Sequence, residues 1–133
     1  MSPVHRRLAA DLLTFDLGKE IQTVRAELDG RHERIARTLV KEGALRLTLV
    51  GLAPGGALHS HRTDSPVTIH VLEGQITLDL GEVSHAMTAG QVAALERGVP
   101  HAVRAGVGAG AFILLTVAAG HVAADSGADA KGD

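Results

Sequence analysis

At 133 residues the chain is long enough for one domain built around a single core. Its residues are 45% apolar but include only two aromatic side chains, both Phe, so Val, Leu, Ile and Ala must fill the core, and no Trp or Tyr is at hand to stack on a sugar or a base. A formal net charge of −2 without a dense Lys/Arg block speaks against a nucleic-acid partner, and zero cysteines exclude disulfides, thiolate metal sites and a thiol nucleophile.

The N-terminal stretch "MSPVHRRLAADLLTFDLG" has basic residues followed by apolar ones, as a signal peptide does, but Asp11 interrupts the apolar run and no cleavage site follows. No apolar segment approaches the roughly 20 residues needed to cross a bilayer, so a soluble cytoplasmic protein with no membrane partner is expected. The first thirty residues read as helical or irregular. Leu17, Ile21, Val24 and Leu28 recur at the spacing of one helix face, with Asp16 available as the N-cap, and "LDGRH" breaks the pattern.

From Arg37 onward the signal changes to strands. "TLVKEG" and "LRLTLVGL" lead into "APGG", followed by "VTIHVLEG", "QITLDLGE", "VSHAMTAG", "QVAALERG", "HAVRAG" and "AFILLTVA". Each run is short and bounded by Gly, Pro or Asp, the regular spacing of an all-β sandwich or barrel. Leu45, Leu47 and Leu49 alternate with Arg46 and Thr48, the period of a half-buried strand. After Ala119 the small, polar tail "GHVAADSGADAKGD" is expected to fray. The expected organisation is a helical or irregular segment over residues 1–33, an antiparallel barrel over 34–120, and a flexible tail over 121–133.

Two stretches, "PGGALHSHRTDSPVTIHVLEG" and "AGQVAALERGVPHAV", resemble in order the two motifs of the cupins, small jelly-roll barrels, and the resemblance spans roughly residues 37–118. It implies an all-β antiparallel jelly roll with a short helical N-terminal segment. The second motif is Gly90, five residues, Glu96-Arg97-Gly98, two residues and His101, with Glu96 in place of the family's Pro and Ala105 in place of its Asn. By resemblance His101 is the third histidine ligand of the barrel.

The first motif admits two registers. Counting from Gly55 and back from Gly74 satisfies every family spacing, but places His61, Thr63 and Val67 where the family has His, His and Glu. The other register takes His59 and His61 as the His-x-His pair, with a longer connection and again no Glu. On a regular strand residues 59, 61 and 63 share a face, so His59 is expected to point inward in either register. His59, His61 and His101 are thus the candidate metal ligands. Three neutral imidazoles suit a divalent ion such as Zn, Fe, Ni or Mn with an open coordination position.

The remaining polar residues read as structural. Strict alternation turns His70 outward if Val67 faces in, and His85 reads as a surface residue. Glu73 and Glu96 read as solvated loop charges, and Asp64 as a turn cap. The Gly-rich "GVGAG" has no following Lys or helix and is no phosphate loop. His5, His32 and His121 lie in terminal or linking segments and carry no signal.

Three functions compete. The first is a metal-dependent enzyme acting on a small and rather apolar molecule, by dioxygenase-like chemistry or by hydrolysis or isomerisation. The second is a non-catalytic ligand-binding or sensing barrel with a degenerate metal site. The third is a structural partner of another protein. The resemblance and the prevalence of twofold assemblies together imply a homodimer.

Overall fold

The computed structural model describes residues 11–28, 30–61 and 64–118. The expected helix is α1, Leu17–Glu27. Asp16 caps it, its side chain accepting a hydrogen bond from the Lys19 amide at 3.1 Å. Ile21 and Val24 are buried, and Leu17 and Leu28 complete the apolar stripe read from the sequence. Among the described residues no helix is long and apolar enough to cross a membrane.

Nine strands follow: β1 Arg34–Glu42, β2 Leu45–Leu52, β3 Ala57–His61, β4 Val67–Glu73, β5 Gln75–Asp79, β6 Ser84–Thr88, β7 Val92–Leu95, β8 His101–Ala105 and β9 Ala111–Ala118. They form two antiparallel sheets, one ordered β1-β2-β9-β4-β7 and the other β3-β8-β5-β6. Every run singled out in the sequence is a strand, and β1 begins at Arg34, three residues earlier than the apolar pattern indicates, because it pairs with β2 along its whole length. This is an all-β jelly roll, the architecture the resemblance implies.

Apolar side chains gather on both faces of the five-stranded sheet. Between the two sheets lie Val50, Leu52, Ile69, Val71, Ile76, Val103 and Ile113, the barrel core. On the outer face Leu39, Val40, Leu49 and Phe112 pack against Ile21 and Val24 of α1. A strand buried on both sides needs apolar residues at successive positions, which is why "LVGL" and "AFI" run without alternation. Gly51 marks where helix and sheet come closest: a Cβ there would stand 2.7 Å from Val24 Cγ1 and 2.8 Å from Phe112 Cε2, so no larger residue fits.

Charges fasten the helix to the sheet. Arg25 donates two hydrogen bonds to the Glu73 carboxylate, at 3.0 and 2.9 Å, while its guanidinium lies 4.8 Å from the centroid of the Phe112 ring. Arg37 on β1 meets Glu20 on α1 at 3.0 Å, with both side chains mostly shielded. Glu73, read from the sequence as a solvated charge, is therefore half-exposed and ion-paired. The glycine after it, Gly74, has φ +85°, and a Cβ there would collide with the Gly110 carbonyl oxygen. The turn that closes the first motif thus requires glycine on two counts.

Candidate metal and ligand site

His101 opens β8 and is 9% exposed. It shares the inner face of its strand with Val103 and Ala105, both in the barrel core. Its Nδ1 lies 3.1 Å from the Val99 carbonyl oxygen. A carbonyl only accepts, so this nitrogen carries the proton, and in the neutral ring the basic lone pair falls on Nε2. Such a bond from the distal ring nitrogen is how a metal-ligating histidine is commonly oriented.

Strand β3 pairs with β8 through an irregularity. Leu58 is paired with Val103 and His61 with His101, so three steps along β3 match two along β8. The backbone of His61 is thereby brought opposite His101. The side chain of His61, together with Thr63, lies outside the described residues.

His59 departs from the expected orientation. Leu58 packs against the barrel core, so the next residue falls on the outer face, and the His59 side chain is 75% exposed with Nε2 3.9 Å from a Glu33 carboxylate oxygen. The expectation of an inward His59 assumed a regular strand, and the bulge between Leu58 and His61 removes that regularity. Histidines 59 and 101 are thus not brought together. Among the described residues no group of three His, Asp or Glu side chains is placed to hold a metal ion.

Val67, at the position where the resemblance puts a carboxylate ligand, is 5% exposed and packs in the barrel core. It is paired on one side with Val117 and on the other with Leu95. Val117 in turn is paired with Arg46, and Arg46 with Lys41. Lys41, Arg46, Val117, Val67 and Leu95 therefore form one row across the five-stranded sheet at the end of the barrel where His101 stands. Arg46 is on the barrel side of β2, in alternation with Val50 and Leu52 of the barrel core, while Leu47 and Leu49 face the helix. The alternation of Leu45, Leu47 and Leu49 with Arg46 and Thr48 predicts one buried face for β2, whereas Val50 and Leu52 bury the opposite face as well. The alternation was visible, but the face that lines the barrel was not.

Between the edge strands β6 and β7 a groove of about 550 Å³ opens along the same side, lined by Leu78, Leu80, Met87, Ala93 and Leu95, with His85 at its margin. His85 is exposed and paired with Leu78, so it belongs to the groove rather than to an unrelated surface. His70 is half-buried on the outer face of β4, as alternation from Val67 requires. Asp64 is half-buried and Glu96 exposed. The outer face of the four-stranded sheet carries a different cluster: Arg104 donates to Asp79 at 3.0 Å and Ser84 Oγ donates to the same carboxylate at 2.5 Å. The bond from Arg104, then that from Ser84, holds the Asp79 carboxyl below the usual carboxylate range, and Asp79 raises Arg104 in return.

A jelly-roll sandwich with an inward histidine at its mouth defines the class as a cupin-type barrel. The family model described as "Cupin domain" matches residues 48–118, more than half of the chain, and the protein belongs to the cupin family. Among solved structures it is similar to the polyketide cyclase RemF from Streptomyces resistomycificus, with 25% identity, 64% of each chain covered and a TM-score of 0.60. A protein of unknown function from Streptococcus pyogenes matches at 25% identity over 66% of this chain and 75% of that one, with a TM-score of 0.60. A cupin-2 domain protein from Shewanella frigidimarina shares the fold at 16% identity, covering 77% of this chain and 91% of that one, with a TM-score of 0.62. Comparison with curated protein sequences returns no match.

Proposed function

We propose that this cupin binds a small molecule at the barrel mouth and the adjoining groove, with His61 and His101 holding a divalent ion (Zn, Fe, Ni or Mn) beside it. The observation that carries the reading is the buried His101 with its Nδ1 proton tied to the Val99 carbonyl, which leaves the basic lone pair on Nε2. His61, whose backbone is paired with that of His101 across the ladder, is the proposed second donor. The donor chemistry therefore fits a divalent ion with two imidazoles and open positions, one ligand fewer than the three-histidine set. His59 would join only in a strand that had lost its bulge.

When bound, such an ion polarises a ligand oxygen, serving hydrolysis or isomerisation as Zn(II) or Ni(II) and oxygenation if redox-active. The chain's own part is to orient His101, to exclude water with Val67, Val117 and Leu95, and to seat an apolar ligand body along Leu78, Leu80 and Met87. The likeness to a protein named as a polyketide cyclase supports an enzyme reading. The second reading, a non-catalytic binding barrel, is favoured by one specific feature: Val67 is apolar and buried where the family's carboxylate would stand. In either reading we propose a cytoplasmic homodimer.

The deciding experiment is the metal content of tag-free protein, measured for wild type and for His59→Ala, His61→Ala and His101→Ala. Stoichiometric metal is expected in the wild type and in His59→Ala, and its loss in the other two. A wild type that purifies without metal and takes up no added Zn(II), Fe(II) or Ni(II) would leave the non-catalytic barrel standing. Light scattering coupled to gel filtration tests the dimer.

A further inference from the structure

Two cations stand side by side at the rim of the barrel. Lys41 and Arg46 are directly paired across the β1–β2 ladder, next to the Gly43–Ala44 turn of that hairpin. Like charges directly opposite one another destabilise a sheet. Four other arginines are each matched by an acid: Arg25 by Glu73, Arg34 by Glu33, Arg37 by Glu20 and Arg104 by Asp79. Among the described residues neither Lys41 nor Arg46 has an ion-pair partner.

An edge lysine alone would read as protection against strand-to-strand aggregation. That explanation does not reach Arg46, which lies on β2, one strand in from the edge. Its place in the row matters more. Arg46 stands one strand from Val117 and two from Val67, a separation of about 10 Å at the usual strand spacing. Directed along this face, a guanidinium reaches over Val117 toward the mouth, where its planar fork of donors matches a carboxylate in two parallel bonds.

We propose that Arg46, assisted by Lys41, is the anion-recognition end of the ligand site, and that the ligand is a carboxylate carrying an apolar body. The inference rests on the reading that the barrel mouth is the ligand site, and it adds the ligand class. The charged end of the ligand lies toward β1–β2, its apolar body against Val117, Val67 and Leu95, with the groove beyond. The two cations are held close together by the ladder, and a bound carboxylate relieves their repulsion.

The test uses the full chain with methyl-labelled Val and Leu, titrated with hexanoate and with hexanamide as a neutral isostere and followed by NMR. Hexanoate is expected to shift the methyl signals of Val67, Val117 and Leu95 and to bind about tenfold more tightly than hexanamide, the difference a charge-assisted bidentate contact makes. Lys41→Gln/Arg46→Gln should bring hexanoate down to the level of hexanamide, Arg46→Lys should recover part of the difference, and Arg104→Gln, on the outer face of the other sheet, should change nothing. Equal binding of the two ligands by wild type, no methyl shift with either, or a preference that survives the double variant would each overturn the proposal. Loss of the dimer in the double variant with ligand preference intact would assign the two cations to the partner interface and overturn it as well. Repeating the titration on chelator-treated protein separates this inference from the metal reading. A preference that persists without metal upholds Arg46 as its source, even in a protein that takes up no metal. A preference that vanishes assigns recognition to the ion and removes the role of Arg46.

Discussion

The two faces of the five-stranded sheet are built to different rules. On the outer face, under α1, the stripe of Ile21 and Val24 meets Leu49 and Phe112, Gly51 gives the room for contact, and both arginines that reach across find a carboxylate. On the inner face the centre is equally apolar, yet at the mouth the packing gives way to His101, to Arg46 and Lys41, which have no ion-pair partner among the described residues, and to an open groove. A face whose bridging arginines are ion-paired contributes to stability and has little left to offer a ligand. A face that keeps unmatched donors at its rim is arranged for something absent from the chain itself. The contrast supports the proposed ligand site at one end of the barrel, with the helix as support.

That division can be broken by mutation. Leu49→Ala, fully buried under the helix, should cost about 3 kcal/mol in chemical denaturation while leaving the affinity of the mouth for its ligand unchanged. A parallel loss of ligand affinity would show that the two faces are coupled. Gly51→Val should cost about 2 kcal/mol, because its side chain must displace Val24 or Phe112, and faster amide exchange confined to α1 would show the helix lifting from the sheet.

Val67→Glu sharpens the comparison from the other side. It places a carboxylate at the mouth without a partner and should cost about 2 kcal/mol in metal-free protein. If His61 and His101 hold a metal, added Zn(II) should raise the melting temperature of this variant more than that of wild type. An equal rise in both would count against a ligand position at residue 67. Arg25→Ala removes an exposed ion pair and a ring contact together and should cost under about 1 kcal/mol, measurable as a small loss of melting temperature that added salt reduces.

The smallest effect is expected at Asp79. Its folded-state carboxyl is held below the ordinary range by Arg104 and Ser84. The unfolded chain therefore takes up the proton at higher pH than the folded one. The stabilisation is complete above the ordinary Asp range and disappears as pH falls through the lowered folded value. Melting curves of wild type and Asp79→Asn should accordingly differ near neutral pH and converge in acid, with metal content the same in both.

Much of this was legible in the residues. The Leu17, Ile21, Val24, Leu28 stripe and its Asp16 cap identified α1, because a helix announces itself through local periodicity and a local hydrogen bond. The strands were readable for the same reason, each bounded by residues that end extended structure. The spacing of Gly55, Gly74, Gly90, Gly98 and His101 pointed to the cupin motifs, and positive φ at all four glycines shows why the chain must keep them. His70 faces outward as alternation from Val67 demands.

Two things were not legible. The inward placement expected of His59 rested on a period of two, and a single extra residue in β3 moved that side chain to the other face. The role of Arg46 was hidden because β2 carries apolar residues on both faces, and an alternating pattern says nothing about which face lines a barrel. The sequence by itself determined the elements, the family and the histidine at the mouth, since these depend on spacing along the chain. Tertiary structure alone decided which residues meet there, since cross-strand register and a bulge are set by pairing between segments far apart in the chain, and one residue of slip exchanges inside for outside.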